Sequence, residues 1–492
     1  MNRKWVQTKG IYLVLLISFY LRLIQLGVRG IWYDDAFSIL LARQDLPKLI
    51  LGTAADTMPP LYYLILHLWM YLGDGIFLLR FLSVILSMLA VAGVYALARC
   101  LFGESAALLA AIFTGLAPFQ IYHAQELRMY SLLALALLGY AAAFVSFMRS
   151  EKVRRTNAKA LVFVAIFGAL ALYSHNLAFA TLAVPDIYLL LKRSLKSLSK
   201  LLLAQGGSLL LFIPWLLYVP GQVEKVQRAF WTPRPGLAEL LQLLLAFTTN
   251  LPLPGWFLPI ALFMTLSIAV VAVLIVRVQG GKRQEDWALV LLLAIVPPLL
   301  LFVLSYLLRP IFVPRGVILS SMMCYLLLGW VLSKASERAQ ATVLVVVALW
   351  LVVPLQFQYN YDEFPRSPFK EAADFLIRNA ARNDLVLHDN KLAYFPMRYY
   401  EPNLRQTFLP DPPGSDNDTL AQGTMDALSI SPTALDQVDT KKGRIWFVIF
   451  QTALDEAKES GRPAGNKAWL DARFQLASLT RFNDLNVYLY EK

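Results

Sequence analysis

Charged residues, cysteine and histidine are all scarce in this sequence. Only 16% of its 492 residues are charged while 58% are hydrophobic, which excludes an ordinary soluble globular protein. The two cysteines, Cys100 and Cys324, lie far apart in or beside apolar segments and indicate neither a disulfide framework nor a thiolate metal site. The sequence also lacks a nucleotide-binding glycine loop, a zinc-protease helix and a serine nucleophile motif. The high content of apolar residues therefore indicates an integral membrane protein.

Apolar runs follow one another through most of the chain and are long enough to cross the hydrocarbon core of a bilayer. The first run follows a basic N-terminus and has no small-residue cleavage site behind it, so we predict a retained span and not a signal peptide. The pattern predicts a polytopic α-helical membrane protein with about 11 transmembrane helices. We place them at residues 11–28, 81–101, 105–121, 129–148, 160–175, 177–191, 201–219, 257–277, 287–308, 315–333 and 341–355.

Lys and Arg are unevenly distributed over the segments between these runs. If the N-terminus is cytoplasmic, the inner segments, among them residues 149–159 and 277–286, hold more basic residues than the longer outer segments. Membrane topology therefore explains the net charge of +12, and nucleic-acid binding is not expected. We predict a multi-pass protein of the cell membrane with a cytoplasmic N-terminus and an extracytoplasmic C-terminal domain.

The composition changes after Pro354, where the apolar runs end. We predict a transmembrane domain over residues 1–355, whose first outer loop at 29–75 is structured, and a soluble extracytoplasmic α/β domain over residues 356–492. Within the loop, residues 59–72 are apolar and aromatic but too short to span, which favours a helix at the outer interface. Strands are predicted in the C-terminal domain at 384–389, 444–450 and 485–490.

Asp34 and Asp35 directly follow the first apolar run. Adjacent carboxylates at a membrane boundary are costly to desolvate, so a function is favoured. A carboxylate in this position can be a general base for an acceptor hydroxyl or amine, or a ligand for a hard divalent cation. The alternative is the solvated start of a loop.

Further polar residues fall in short segments that are also predicted to lie on the outer side. The stretch "IYHAQELRMY" places an acid, an arginine and a tyrosine between the third and fourth spans, and "RPIFVPRG" places two arginines beside prolines. Guanidinium groups suit a phosphate, because they can hold it by parallel hydrogen bonds and never lose their charge. The alternatives are interface anchors, helix caps or contacts with lipid headgroups. The candidate substrate-binding residues are Glu126, Arg128, Tyr130, Arg315, Arg80 and His175.

The order of these segments resembles the GT-C glycosyltransferases of the protein O-mannosyltransferase and aminoarabinose transferase type. The similarity rests on the acid pair after the first span, then "PPLYY", "LRFLS", "QELRMYSLL" and "RPIFVPR", followed by a soluble tail. It covers roughly residues 10–355. The resemblance implies the GT-C fold and an inverting hexosyl- or pentosyltransferase. Such an enzyme takes its sugar from a polyprenyl-phosphate carrier on the outer face of the membrane.

The resemblance also implies roles for individual residues. Asp34 matches the catalytic acid of the family, and Asp35 stands where the family usually has the longer Glu. Glu126 and Arg128 match the family's acid and arginine near the cavity, and Arg315 matches an arginine expected near the carrier phosphate. The implied mechanism is deprotonation of the acceptor by Asp34, while positive charge eases departure of the carrier phosphate.

Two further positions depart from the family pattern. Met58 replaces a frequent His before the Pro pair, and Gly316 stands where an aromatic residue commonly follows the arginine. The sequence leaves the sugar open, and the acceptor could be a glycan, a lipid or a protein. Asp34, Asp35 and Glu126 are candidate ligands for a divalent cation.

Two other function classes compete with the transferase. A transporter or flippase for a lipid-linked sugar would need polar residues near mid-span, on paths open to both faces of the membrane. The interiors of most apolar runs lack such residues. A non-catalytic receptor or assembly factor would instead act through the soluble tail.

Overall fold

The computed structural model describes residues 3–153, 157–229, 231–279, 284–361, 363–438, 443–461 and 464–492. Parts of two basic loops used in the topology prediction, residues 154–156 and 280–283, lie outside the described residues. Contacts divide the chain into two compact units. The helical unit comprises residues 1–27, 57–227 and 232–359, and the sheet unit comprises residues 28–56, 228–231 and 360–492.

Helices dominate the described part of the chain. The helices are α1 (Arg3–Leu23), α2 (Tyr33–Ala42), α3 (Leu46–Ala55), α4 (Leu61–Trp69), α5 (Ile76–Phe102), α6 (Glu104–Leu116), α7 (Pro118–Ala124), α8 (Tyr130–Lys152), α9 (Ala158–Ser174), α10 (Phe179–Leu182), α11 (Val184–Leu191), α12 (Leu195–Leu216), α13 (Val219–Arg228), α14 (Leu237–Thr249), α15 (Leu258–Gln279), α16 (Gln284–Leu307), α17 (Ile318–Leu332), α18 (Glu337–Asn360), α19 (Phe369–Asn379), α20 (Lys391–Tyr400), α21 (Gln422–Leu428), α22 (Gln451–Glu459) and α23 (Gly465–Asp471). Short 3-10 helices cover Met70–Leu72, Asn176–Ala178, Pro314–Val317 and Leu435–Gln437. The strands are β1 (Leu385–His388), β2 (Gln406–Phe408), β3 (Ile445–Phe450), β4 (Gln475–Phe482) and β5 (Leu485–Glu491).

Six helices among the described residues are long and apolar enough to cross a membrane. They are α5, α8, α12, α16 from Trp287, α17 with the preceding 3-10 turn, and α18. The pair α6 and α7 passes the same test together, although the axis bends by 60° between them. A multi-pass membrane protein is thereby supported, whereas the number of about 11 spans stays a prediction.

A buried arginine ties the first helix to its neighbours in the helical unit. Arg22 Nε donates to Ser87 Oγ on α5 at 3.0 Å, and Nη1 donates to the carbonyl of Gly115 on α6 at 2.8 Å. On the other side of α6, a Cβ at Gly329 of α17 would lie 2.6 Å from the backbone nitrogen of Ala110. Only glycine permits that approach, so α6 and α17 pack backbone to backbone.

The sheet unit contains a five-stranded sheet in the order β2-β1-β3-β5-β4. Strand β1 pairs in parallel with β2 and β3, while β5 is antiparallel to both β3 and β4. Every residue of β3 is buried, as expected for an apolar strand covered on both faces. The predicted C-terminal sheet is therefore confirmed, with β2 and β4 added at its edges. Strand β2 is only three residues long, and β4 is mostly exposed, so neither carries a clear alternating pattern.

Residues 28–56 belong by their contacts to the sheet unit, whereas the sequence suggested an outer loop of the transmembrane domain. Helix α2 packs on α20, and α3 packs on α21. Thr424 Oγ1 donates to the carbonyl of Gly52 at 3.0 Å. These pairings join segments more than 300 residues apart, and the periodicity of a short helix does not reveal which distant partner covers it.

Candidate active site

The segment between α7 and α8 carries two of the predicted site residues, and a third, Tyr130, begins α8. Ala117 is extended, as the residue before a proline tends to be, and the helix axis turns by 60° at Pro118. Residues 125–129 then form a non-helical bend before α8 begins at Tyr130. Gln125 fixes this bend, because its Nε2 donates to the carbonyls of Arg22 and Ile24 at 3.0 and 2.8 Å. Glu126 and Arg128 are therefore held on rigid backbone at the entrance to α8.

Arg128 is only 5% exposed, and its orientation is set by a tyrosine of α4. Its Nη1 donates to the hydroxyl oxygen of Tyr63 at 3.0 Å. Tyr63 is completely buried and is the second tyrosine of the "PPLYY" segment. The sequence analysis did not select Tyr63 as a site residue, although that segment formed part of the family resemblance.

Arg315 lies over the ring of Tyr130, with 5.6 Å between its Cζ and the ring centroid. Its 3-10 turn, Pro314–Val317, packs against the turn Asn176–Ala178. A Cβ at Gly316 would lie 2.6 Å from Leu177 Cδ1, so a larger residue at position 316 would require the Leu177 side chain to move. The side chain of Leu177 occupies the space in which a side chain at position 316 would begin.

His175 completes the same group of side chains. Its backbone is extended and ends α9, and its Nδ1 accepts a hydrogen bond from the Leu177 N–H at 3.1 Å. A neutral ring therefore carries its proton on Nε2. The ring centroid lies 6.2 Å from that of Tyr130, and both Arg128 and Arg315 are close enough to act electrostatically on the imidazole. Arg315 and His175 thus both lie beside the ring of Tyr130.

Glu126 is paired with a histidine that the sequence analysis overlooked. His123 Nδ1 lies 2.6 Å from Glu126 Oε2. The buried imidazole contacts the rings of Phe119 and Tyr130, with centroids 4.5 and 5.0 Å away. A carboxylate and an imidazole in contact can hold or move a proton. The spacing His-x-x-Glu across the end of a helix was the available signal, because side chains three residues apart are neighbours.

These contacts bring five of the predicted residues together, and we call this group, with its added partners, the arginine–tyrosine cluster. It consists of Tyr63, His123, Glu126, Arg128, Tyr130, His175 and Arg315. Arg80, the sixth of the predicted substrate-binding residues, is fully buried on α5, and its Nη1 donates to the carbonyl of Leu26 at 3.2 Å. That contact fixes the chain beyond the end of α1.

The acid pair lies in the sheet unit, in the first turn of α2. This position differs from a solvated loop start, and the helix dipole favours negative charge there. Asp35 is 5% exposed and Asp34 is half-buried. Because consecutive helical residues are about 100° apart around the axis, the two carboxylates point in different directions. Nearby Asp45 caps α3, accepting from the Lys48 N–H at 2.9 Å, which is a structural role.

The residues that the structure describes contain no group of three or more His, Cys, Asp and Glu side chains arranged to hold a metal ion. Of the three candidate ligands, Asp34 and Asp35 belong to the sheet unit, and Glu126 belongs to the helical unit. Glu126 is also engaged by His123. A divalent cation at these three residues stays a possibility raised by the sequence, and no step of the reaction is assigned to a metal.

Comparison with known proteins finds one family model and several solved membrane-protein structures that this chain resembles. The family model described as dolichyl-phosphate-mannose-protein mannosyltransferase matches residues 57–218, a segment that includes most of the arginine–tyrosine cluster. The apo crystal structure of ArnT from Cupriavidus metallidurans superposes with a TM-score of 0.66 at 13% identity, covering 98% of each chain. The chain has the GT-C fold. The resemblance predicted from the sequence is thereby confirmed.

Two further structures share this GT-C fold. ArnT bound to undecaprenyl phosphate matches with a TM-score of 0.62 at 12% identity, covering 99% of this chain and 98% of that one. The oligosaccharyltransferase AglB from Archaeoglobus fulgidus, in complex with an inhibitory peptide and a dolichol-phosphate, matches with a TM-score of 0.55 at 12% identity. That alignment covers 99% of this chain and 75% of AglB. No curated protein matches the sequence.

Proposed function

We propose that this GT-C protein is an inverting glycosyltransferase that moves a sugar from a polyprenyl-phosphate carrier to an acceptor on the outer face of the cell membrane. The observation that carries the proposal is the buried arginine–tyrosine cluster of the helical unit, in which Arg128 donates to Tyr63 and Arg315 lies over the ring of Tyr130. Concentrated positive charge in a desolvated region favours an anion, and guanidinium groups bind phosphate by parallel charge-assisted hydrogen bonds.

The arginine–tyrosine cluster suits the phosphate of the donor. Tyr63 orients Arg128, and the ring of Tyr130 supports Arg315, so both guanidinium groups are held before substrate binds. The leaving phosphate is already ionised at neutral pH, and positive charge beside it stabilises the charge that develops as the bond to the sugar breaks. ArnT with undecaprenyl phosphate and AglB with dolichol-phosphate support a polyprenyl-phosphate donor in this fold.

Asp34 is the proposed general base. Its carboxylate takes a proton from the acceptor hydroxyl or amine, and the freed lone pair forms a bond to the anomeric carbon of the sugar. The bond from that carbon to the phosphate oxygen breaks on the opposite face, which inverts the anomeric configuration. Half-buried Asp34 is better placed for this exchange than Asp35, whose buried carboxylate we assign a supporting role.

The proposal includes the topology predicted from the basic segments, with a cytoplasmic N-terminus and an extracytoplasmic sheet unit. Single cysteines introduced at exposed positions of β4, in a chain lacking Cys100 and Cys324, would test it. A membrane-impermeant maleimide added to intact cells should label them without permeabilisation. Labelling only after permeabilisation would show that the sheet unit lies on the cytoplasmic side, opposite to the proposed orientation.

Asp34→Asn tests the proposed base. Purified protein is given polyprenyl-phosphate hexoses and pentoses, and release of free polyprenyl phosphate is followed by mass spectrometry. We expect Asp34→Asn to abolish release while insertion and thermal stability are kept. Asp45→Asn is the matched control, because asparagine caps a helix as well as aspartate does, and it should keep full activity. Near-normal turnover by Asp34→Asn would show that this carboxylate is not the base.

A further inference from the structure

The helix that carries the acid pair begins inside an aromatic core of the sheet unit. Trp32, the residue before α2, places its ring 5.1 Å from that of Phe364 and 6.1 Å from that of Phe450. The ring of Phe369 lies 6.2 Å away. Phe369 and Phe450 belong to the hydrophobic core between the sheet and helices α19 and α20, and Trp32 packs against that core. The start of α2 is thus held by residues that come more than 300 positions later in the sequence.

Contacts with α20 fix the backbone on both sides of the two acids. The Ile31 N–H donates to the hydroxyl oxygen of Tyr400 at 3.0 Å, joining residues 369 positions apart. After this contact, Tyr33 and Phe37 both pack on Phe395, with ring centroids 5.0 and 5.9 Å apart. Asp34 and Asp35 therefore lie between anchored residues at positions 31–33 and 37.

Helix α2 depends on these contacts because it has little to hold it by itself. It is ten residues long, and its N-cap residue, Trp32, provides no side-chain capping hydrogen bond. Short helices are marginal in isolation, and most helices of this kind take their order from tertiary packing. A base must be held to within a fraction of an ångström to act efficiently.

We propose that Trp32 and Tyr400 are positioning residues for the acid pair, so that the C-terminal part of the chain serves catalysis by holding α2. This inference rests on the proposed function, because it assumes that Asp34, which α2 carries, is the general base. Neither positioning residue contacts substrate in this scheme. Their loss should lower kcat and leave the KM for the donor unchanged, since donor phosphate binding is assigned to residues of the helical unit.

Two pairs of variants test the proposal in the full-length purified protein. Tyr400→Phe removes only the hydroxyl that accepts from Ile31, and Tyr490→Phe is its control. Tyr490 is buried on the opposite face of the same sheet, and its hydroxyl donates to Asp471 at 2.6 Å. Trp32→Leu removes the indole from the aromatic core, and Trp469→Leu is its control, because Trp469 is a half-buried tryptophan of the same unit.

We expect Tyr400→Phe and Trp32→Leu to lower kcat by roughly 10- to 100-fold at an unchanged donor KM, while the controls retain activity. Trp32→Phe keeps an aromatic ring in the core and should recover most of the loss. A fall in activity that follows the loss of thermal stability equally in all four variants would overturn the proposal, as would unchanged kcat in both test variants. If Asp34→Asn itself remains active, the proposed role of Asp34 as the base fails and the positioning role fails with it, whereas an inactive Asp34→Asn with active Tyr400→Phe and Trp32→Leu refutes only the positioning role.

Discussion

Removing one buried hydroxyl beside Arg128 should impair donor use measurably. Tyr63→Phe deletes the oxygen that accepts from Arg128 Nη1 at 3.0 Å and leaves the completely buried ring in place. A hydrogen bond to a charged group contributes about 1.5–3 kcal/mol. At 1.36 kcal/mol per tenfold change in rate, this loss corresponds to roughly a 10- to 150-fold fall in kcat/KM for the donor.

The neighbouring tyrosine provides the control for this experiment. Tyr62 is equally buried on the same helix, but its hydroxyl bonds to Ser83 Oγ at 3.0 Å, a neutral partner. Tyr62→Phe should therefore reduce thermal stability slightly, by about 0.5–1.5 kcal/mol, and leave donor kinetics unchanged. Both variants are assayed with the same polyprenyl-phosphate sugar over a range of donor concentrations.

A double-mutant cycle decides whether Tyr63 acts through the arginine. If its hydroxyl orients Arg128, then Tyr63→Phe should cost almost nothing further in an Arg128→Ala background. The full 10- to 150-fold loss in that background would refute the reasoning, because the hydroxyl would then act on something other than the guanidinium. Unchanged kinetics in the single variant would refute it as well.

Two further predictions concern a close contact and an ion pair. Gly316→Ala places a methyl group about 2.6 Å from Leu177 Cδ1, so we expect weaker inhibition by free polyprenyl phosphate and recovery in the double variant with Leu177→Ala. In the sheet unit, burial alone would raise the pKa of Asp384, but hydrogen bonds from Arg444, Trp446 and backbone N–H groups outweigh it and lower that pKa. The stabilisation is therefore present above the unfolded pKa of about 3.9 and is lost as pH falls through the folded value, so the difference in melting temperature between wild type and Asp384→Asn should shrink below about pH 4.

The sequence predicted features that depend on composition and local periodicity. Apolar runs located most of the long helices, and the buried run at 444–450 located the central strand β3. Motif order also placed Glu126, Arg128, Tyr130, His175 and Arg315 among the candidate residues, and the structure brings these side chains into one cluster. These predictions succeed because buried helices, strands and turns produce recognisable patterns within a few neighbouring residues.

Features that depend on distant partners could not be predicted in this way. Tyr63 becomes a candidate only when Arg128 is seen to donate to it across 65 positions. The attachment of residues 28–56 to the sheet unit rests on pairs such as Ile31 and Tyr400, and neither residue carries a pattern that names the other. The different exposure of Asp34 and Asp35 likewise follows from where α2 packs. Two identical neighbouring residues carry no sequence signal that shows which of them is buried.

The two chemical tasks of the proposed reaction fall to residues of different units, which makes them separable by experiment. The family match at 57–218 covers the residues proposed to hold the phosphate, apart from Arg315, and begins after the acid pair, which belongs to the sheet unit. Variants of Tyr63 or Arg128 should therefore act on donor binding and on departure of the phosphate. Variants of Asp34, Trp32 or Tyr400 should act on activation of the acceptor, and so on kcat at saturating donor. If both groups of variants changed the same kinetic constant to the same extent, the proposed division of the two tasks between these groups of residues would be refuted.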